Sequence, residues 1–342
     1  TIFSQLNIKT DSIIVGQPEF FVQLNSILKT IPLSAWKNYL RFHLLSNYAD
    51  YMHKKVNNED FRFYGKVIRG RKEQLPRWKR ALQWEESAMG EILGQLYVKD
   101  NFSPKTKERY EKLCDDVFAA FADRIKNLDW MSDATKQKSL QKLSTVTKKV
   151  GYPNEWKDFS KLETNDKLLV DNIKSANKFW FNYSVNKLNK PVDRTEWDMT
   201  PQTYNAYYNP SNNEIVMPAG IFVIPGFRDE DIDDAVIYGY AAASTIGHEI
   251  THGFDDEGRQ FDDKGNLQNW WQEEDEKKFT EKAQKYIDQF NNYVVLDSMH
   301  INGKATLGEN IADLGGLVIA LDAFKKTQQY KEGKLIDGLT PL

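Results

Sequence analysis

Cysteine occurs once in these 342 residues, at Cys114, so no intramolecular disulfide can form. That fits a reducing compartment, or a bacterial protein of any compartment. Cys114 lies in an amphipathic pattern and reads as a small core residue rather than a nucleophile. No run approaches the roughly 20 apolar residues of a membrane span. The most apolar helix candidate, "AVIYGYAAASTIG", is too short. Neither sign of charge dominates: 46 basic residues against 49 acidic ones give a net charge of -3. That balance removes the electrostatic case for nucleic acid or a membrane surface as partner. The one local exception, from Lys66 to Arg80 through Arg69, Arg71, Lys72, Arg77 and Lys79, reads as a solvated helix face or turn. Repeats and low-complexity tracts are missing, and so is a signal-like segment at the opening "TIFSQLN". With no methionine there either, the true start is expected upstream. Histidine is scarce, at five residues.

What is present is a soluble globular composition, 40% hydrophobic, 13% aromatic and 28% charged. The length suggests about two domains. The first half reads as successive helices. In "SPKTKERYEKLCDDVFAAFADRIKNLDWM", Tyr110, Leu113, Val117, Phe118, Phe121, Ile125 and Leu128 recur every three or four residues, with Ser103 as N-cap and Pro104 as first helical residue. A second pattern follows Ser132, with Leu140, Leu143 and Val146 on one face. "GYPN", residues 151–154, breaks the run. The second half reads as α+β. A hairpin is expected from about Tyr204 to Met217, around a Pro-Ser-Asn-Asn turn. An acidic run (Asp229, Glu230, Asp231, Asp233, Asp234) then favours a helix start. Another helix is expected from near Gly308. The boundary between the halves is placed in the linker 151–165.

Two of the five histidines fall in "TIGHEITHGFDDEG", four residues apart. On a helix that spacing puts both rings on one face, so His248 and His252 can aim two nitrogens at one point, as a tetrahedral zinc requires. Glu249 is offset by about 100° around the helix. There it can take the proton of a water attacking a polarised carbonyl. His-Glu-x-x-His is short, and a pair of surface or packed histidines is the alternative. The alanine-rich apolar helix before the motif argues against that alternative, because a buried helix has no other reason to end in two titratable rings and a carboxylate. Asp255 is placed to accept the second N–H of a ligating imidazole, with a plain capping or loop role as its alternative.

A catalytic zinc needs a third protein ligand and an open fourth position. His43 and His53 lie far off in the helical half, and His300 sits in a loop or hairpin. In "LGENIADLGG", Glu309 and Asp313 again lie four apart on one helical face. Glu309 would complete a His-His-Glu site, and Asp313, one turn on, would hold a ligating histidine. Ile311, Ala312, Leu314, Gly315 and Gly316 around the pair argue against an exposed acidic face.

With these residues on view, "GHEITHGFDDEGRQFDDKGNLQNWW" and "LGENIADLGG" resemble the signature blocks of neprilysin-type zinc endopeptidases. The likeness extends to "NAYYNPSNNEIVMPAGI" and "WMSDATKQKSLQKLSTVTKKVGYPNEW". The lack of disulfide cysteines brings it closest to the bacterial oligopeptidase O branch. The resemblance implies a mainly α protein with a smaller α+β part: a helical lobe and a thermolysin-like zinc peptidase domain around an enclosed cavity. The lobe would span 1–155 and the catalytic domain 156–342, both truncated. It implies one zinc per chain on His248, His252 and Glu309, Glu249 as general base, and Asp313 as a catalytic residue. It also implies that Asn205 and Ala206, on an edge strand, hydrogen-bond the substrate backbone, as an exposed edge can. From the residues alone, Asn205 reads as a turn-flanking residue. Ile221 is assigned either to the apolar pocket for the residue after the cut or to core packing. One departure stands out. The family's later segment supplies a histidine and an arginine, whereas here no histidine follows His300 and no arginine follows Arg259. Both are expected beyond Leu342. A following segment is also expected to cover an apolar face of Leu317, Ile319, Leu321 and Phe324.

The function expected is a zinc metalloendopeptidase that hydrolyses internal bonds of oligopeptides. Its partners are then peptides, with no nucleic acid and no membrane segment, and its location is the bacterial cytoplasm or, as a second reading, secreted or at the surface. The rivals are a non-catalytic peptide-binding or scaffolding protein with a structural zinc, and a zinc exopeptidase. A structural site would normally fill all four positions with Cys and His.

Overall fold

The structure, a computed structural model, describes residues 2–336 and 338–342, Ile2 by its backbone alone. It is mainly helical, with one three-stranded and one two-stranded sheet. The chain forms two compact units that interleave. One holds residues 1–90 and 157–193, and the other 91–156 and 194–342. The sequence reading places a single division at 155/156. Instead, 91–156 packs with the later residues, because the helix Pro104–Lys126 supplies one side of their core. The first crossover follows Met89, whose φ of -150° and ψ of 35° break the helix Arg77–Asn101.

The first unit is helical. Asp50 ties it together by accepting from Asn57 Nδ2 at 2.6 Å, Arg80 Nη1 at 3.2 Å and Trp84 Nε1 at 2.7 Å. Neither Pro18–Thr30 nor Leu33–Tyr48 contains a buried residue. The basic side chains from Lys66 to Lys79 are exposed, as solvated charges should be.

In the second unit, Pro104–Lys126 begins on the Ser103 cap, whose Oγ accepts from Thr106 N at 3.1 Å. Its inward face carries Tyr110, Leu113, Cys114, Val117, Phe121 and Ile125. Cys114 is fully buried, and burial pushes its thiol pKa up. Asp133–Ser144 begins on the corresponding Ser132 cap. The next residues form a strand, β1 (Thr147–Gly151), where the sequence suggests the end of a helical run. β1 pairs in parallel with β3 (Glu214–Pro218), which pairs antiparallel with β2 (Tyr207–Asn209). The order β1-β3-β2 leaves β2 at an edge. Central β3 is wholly buried. Lys149 of β1 meets Glu214 of β3 at 2.8 Å, an ion pair shut away from water. The hairpin turn closes on Asn213, at a φ of 47°.

Residues 234–252 form one continuous helical stretch, the histidine helix, wound as π-helix over Tyr238–Gly247. Asp233 caps it, accepting from Val236 N at 3.3 Å. Arg109 holds the acidic run before it, pairing with Asp229 at 3.4 Å and Asp234 at 3.6 Å. Ala241, Ala242, Ile246 and Ile250 are fully buried. The second long element here, Leu307–Phe324, is called the carboxylate helix and packs directly on the histidine helix. Its Ile319 and Phe324 are buried within the described residues, so of the face expected to await a cover, Leu317 stands out at 58% exposed.

Candidate metal centre

His248 and His252 come from the last turn of the histidine helix, and Glu309 from the first turn of the carboxylate helix. His248 Nε2 and His252 Nε2 lie 3.0 Å apart. Glu309 Oε2 is 3.4 Å from the first and 3.8 Å from the second. Among the described residues these three side chains form a group able to hold a metal, with all ligand atoms within 4.8 Å of one another.

Each ring is fixed from behind. His248 Nδ1 lies 2.9 Å from Asp313 Oδ1, and His252 Nδ1 lies 2.7 Å from Asp255 Oδ2. A carboxylate only accepts, so each Nδ1 carries the hydrogen, and in the neutral ring each Nε2 keeps its lone pair. Two lone pairs 3.0 Å apart repel unless a cation sits beside both. Two nitrogens about 2.0–2.1 Å from a tetrahedral zinc would lie ~3.3 Å apart, so the donor set fits that ion.

Asp255 is 4% exposed. Its other oxygen accepts from the amides of Glu257 at 2.9 Å and Gly258 at 2.7 Å, so it both aims His252 and closes the loop after it. Burial alone would lower the His252 pKa. Asp255, with Glu249 and Glu309, outweighs that and holds it above its ordinary value. The side chains of Glu309 and Asp313 are 69% and 77% exposed. The small residues around them face the histidine helix, and the carboxylates reach outward over the rings.

Glu249 is 8% exposed. Burial pushes its carboxyl above the usual range, although His248, His252 and the Tyr208 main chain favour the charged form. Asn205 and Ala206, expected on the edge strand, instead lie just before it, since β2 begins at Tyr207. Asn205 is exposed, and the Ala206 residue as a whole is 8% exposed. Ile221 is partly buried against the core, and its carbonyl accepts from Tyr240 Oη at 3.1 Å.

Two participants lay outside the sequence reading. One is Tyr208, whose contribution is a main-chain amide. The other is Lys142, 1% exposed, whose ammonium donates to the carbonyls of Gly253 at 2.7 Å, Gly258 at 2.8 Å and Phe261 at 2.7 Å. In a lysine-rich amphipathic segment no local signal marks it as buried.

Two sequence profiles, both described as Peptidase family M13, match residues 1–153 and 205–340. An endothelin-converting enzyme homolog of Locusta migratoria is 32% identical over 96% of this chain and 46% of its own length. Among solved structures, Mycobacterium tuberculosis zinc metalloprotease Zmp1 with an inhibitor bound aligns over 96% of this chain and 50% of that one, at 40% identity and a TM-score of 0.86. PepO from Lactobacillus rhamnosis HN001 aligns over 88% and 47%, at 29% identity and a TM-score of 0.79. The chain thus spans about half the length of the relatives it matches.

Proposed function

Because this chain belongs to peptidase family M13, we propose that it carries the metal centre of a zinc endopeptidase acting on oligopeptides. One observation carries the reading. Two imidazole nitrogens and one carboxylate converge, and among the described residues no fourth side chain joins them. Three protein ligands with an open position are the signature of a catalytic zinc, whereas a structural site is closed.

In this reading His248, His252 and Glu309 hold the zinc, while Asp313 and Asp255 keep the two rings turned toward it. Bound zinc supplies a Lewis acid that polarises the scissile carbonyl and makes water more acidic. Glu249 takes the proton from the attacking water and later returns one to the departing amine. Its buried position favours that exchange, since desolvation raises the basicity of a carboxylate. Asn205 and the main chain of Ala206, next to the edge strand β2, bind the backbone of an extended peptide. Ile221 borders the position after the cut. All these residues lie in 156–342, the stretch read as the catalytic domain.

No described helix is long and apolar enough to cross a membrane. The test is zinc analysis of the full-length protein combined with mapping of cleavage sites in a mixed peptide pool. About one zinc per chain and internal cuts abolished by chelation are expected. Release of terminal residues alone would make it an exopeptidase. Zinc without cleavage would make it a binding protein.

A further inference from the structure

Resting on the reading of His248, His252 and Glu309 as zinc ligands, we propose that Lys142 is a positioning residue for that site. It ties the loop behind His252 and the strand beside Glu249 to one helix.

The argument begins with stoichiometry. A lysine ammonium has three N–H donors and no acceptor. Here each donor meets one main-chain carbonyl, those of Gly253, Gly258 and Phe261. Three buried carbonyls converging on one position need donors there, and a lysine fully used by them is a fixed point rather than a mobile surface charge.

What the ammonium gathers is the segment 253–261. Gly253 directly follows the ligand His252. Gly258 gives its carbonyl to Lys142 and its amide to Asp255. A side chain at Gly258 would overlap the His252 carbonyl, so the loop folds back hard on the ligand it serves. Asp255, inside this loop, sets the His252 ring at 2.7 Å. Lys142 therefore acts on His252 through Asp255.

The same residue reaches the edge strand through its own carbonyl, which accepts from Asn213 Nδ2 at 3.1 Å. Asn213 Oδ1 accepts the Tyr208 hydroxyl at 2.7 Å. The Tyr208 main chain in turn favours the charged form of Glu249. Replacing the Lys142 side chain cuts the first branch and leaves the second, because that one runs through the main chain.

The experiment measures zinc affinity of full-length Lys142→Met, Asp255→Asn and the double variant by competition with a chromophoric chelator. Fold is checked by near-UV circular dichroism and thermal unfolding. Removing a group that orients a metal ligand typically weakens binding about 10–100-fold. Each single variant should show that loss, and the double variant a loss well short of the product of the two, since both act through one carboxylate. If Lys142→Met does not fold, Lys142→Gln, which keeps two donors, is read by the same criterion. A lower Tm with wild-type zinc affinity, or a double variant that multiplies the single losses, would make Lys142 a fold staple and overturn the proposal. His248→Ala is the control for the underlying reading. If it kept wild-type affinity, the metal site itself would be misassigned, whatever Lys142 does.

Discussion

The main chains of Gly247 and Gly316 touch. A Cβ at Gly247 would lie 2.7 Å from the Gly316 Cα, and one at Gly316 would lie 2.7 Å from the His248 nitrogen. The histidine and carboxylate helices thus meet backbone to backbone, one residue before the first histidine and three after Asp313. That distance sets whether Glu309 and Asp313 can reach the rings. Gly316→Ala should leave helix content intact, since alanine is the better helix former by about 1 kcal/mol. It should force the helices apart and weaken zinc binding by about tenfold or more. Circular dichroism together with zinc titration checks this, and unchanged affinity would show that the crossing does not set the site.

Asp313 meets His248 at Nδ1, while the Nε2 of the same ring faces His252 and Glu309. Asp313→Ala frees that ring to rotate and change tautomer. Zinc affinity should fall about 10–100-fold with the fold unaltered. Chelator competition reads the loss, and wild-type affinity would remove Asp313 from the site.

Asp275 ties the helix Glu273–Asn291 to the Ser132 cap. It accepts from Ser132 N at 2.9 Å and from the Ser132 hydroxyl, and it is 1% exposed. Burial alone would raise its pKa, but the hydrogen bonds from Ser132 and Thr135 outweigh that and hold it below the usual range. A carboxylate with a depressed folded pKa contributes stability above its unfolded value, near 3.9, and loses it as pH falls through the folded value. Asp275→Asn should therefore lower Tm by roughly 3–10 °C at pH 7. The gap to wild type should close as the pH drops below about 4. A gap independent of pH would mean that the charge of Asp275 contributes nothing.

The legible parts of this molecule are those that spacing and short-range chemistry determine. His248 and His252 betray a shared face because four residues make about one helical turn. Ser103 and Ser132 announce helix starts because a hydroxyl before a periodic apolar run caps orphan amides. The hairpin is visible from its turn, although its strands are shorter than its composition suggests. β1 was hidden because its buried residues include Lys149, which is made tolerable only by distant partners, the Glu214 carboxylate and the Glu196 carbonyl. Lys142 was hidden for the same reason, its acceptors lying more than 100 residues away. Tyr208 was hidden because its part is played by a peptide amide, which every residue but proline has. The interleaved units escaped notice because a helix broken at Met89 still shows helical periodicity on both sides.

The central claim is that Glu309 holds the metal while Glu249 moves the proton. Zinc content and peptide turnover, measured side by side for Glu249→Gln and Glu309→Ala in the full-length protein, test it most directly. Glutamine keeps the shape of Glu249 but cannot take a proton, so that variant should hold about one zinc and lose turnover by orders of magnitude. Glu309→Ala should lose the zinc and the turnover together. Near-normal turnover in Glu249→Gln, or full zinc in Glu309→Ala, would contradict the assignment.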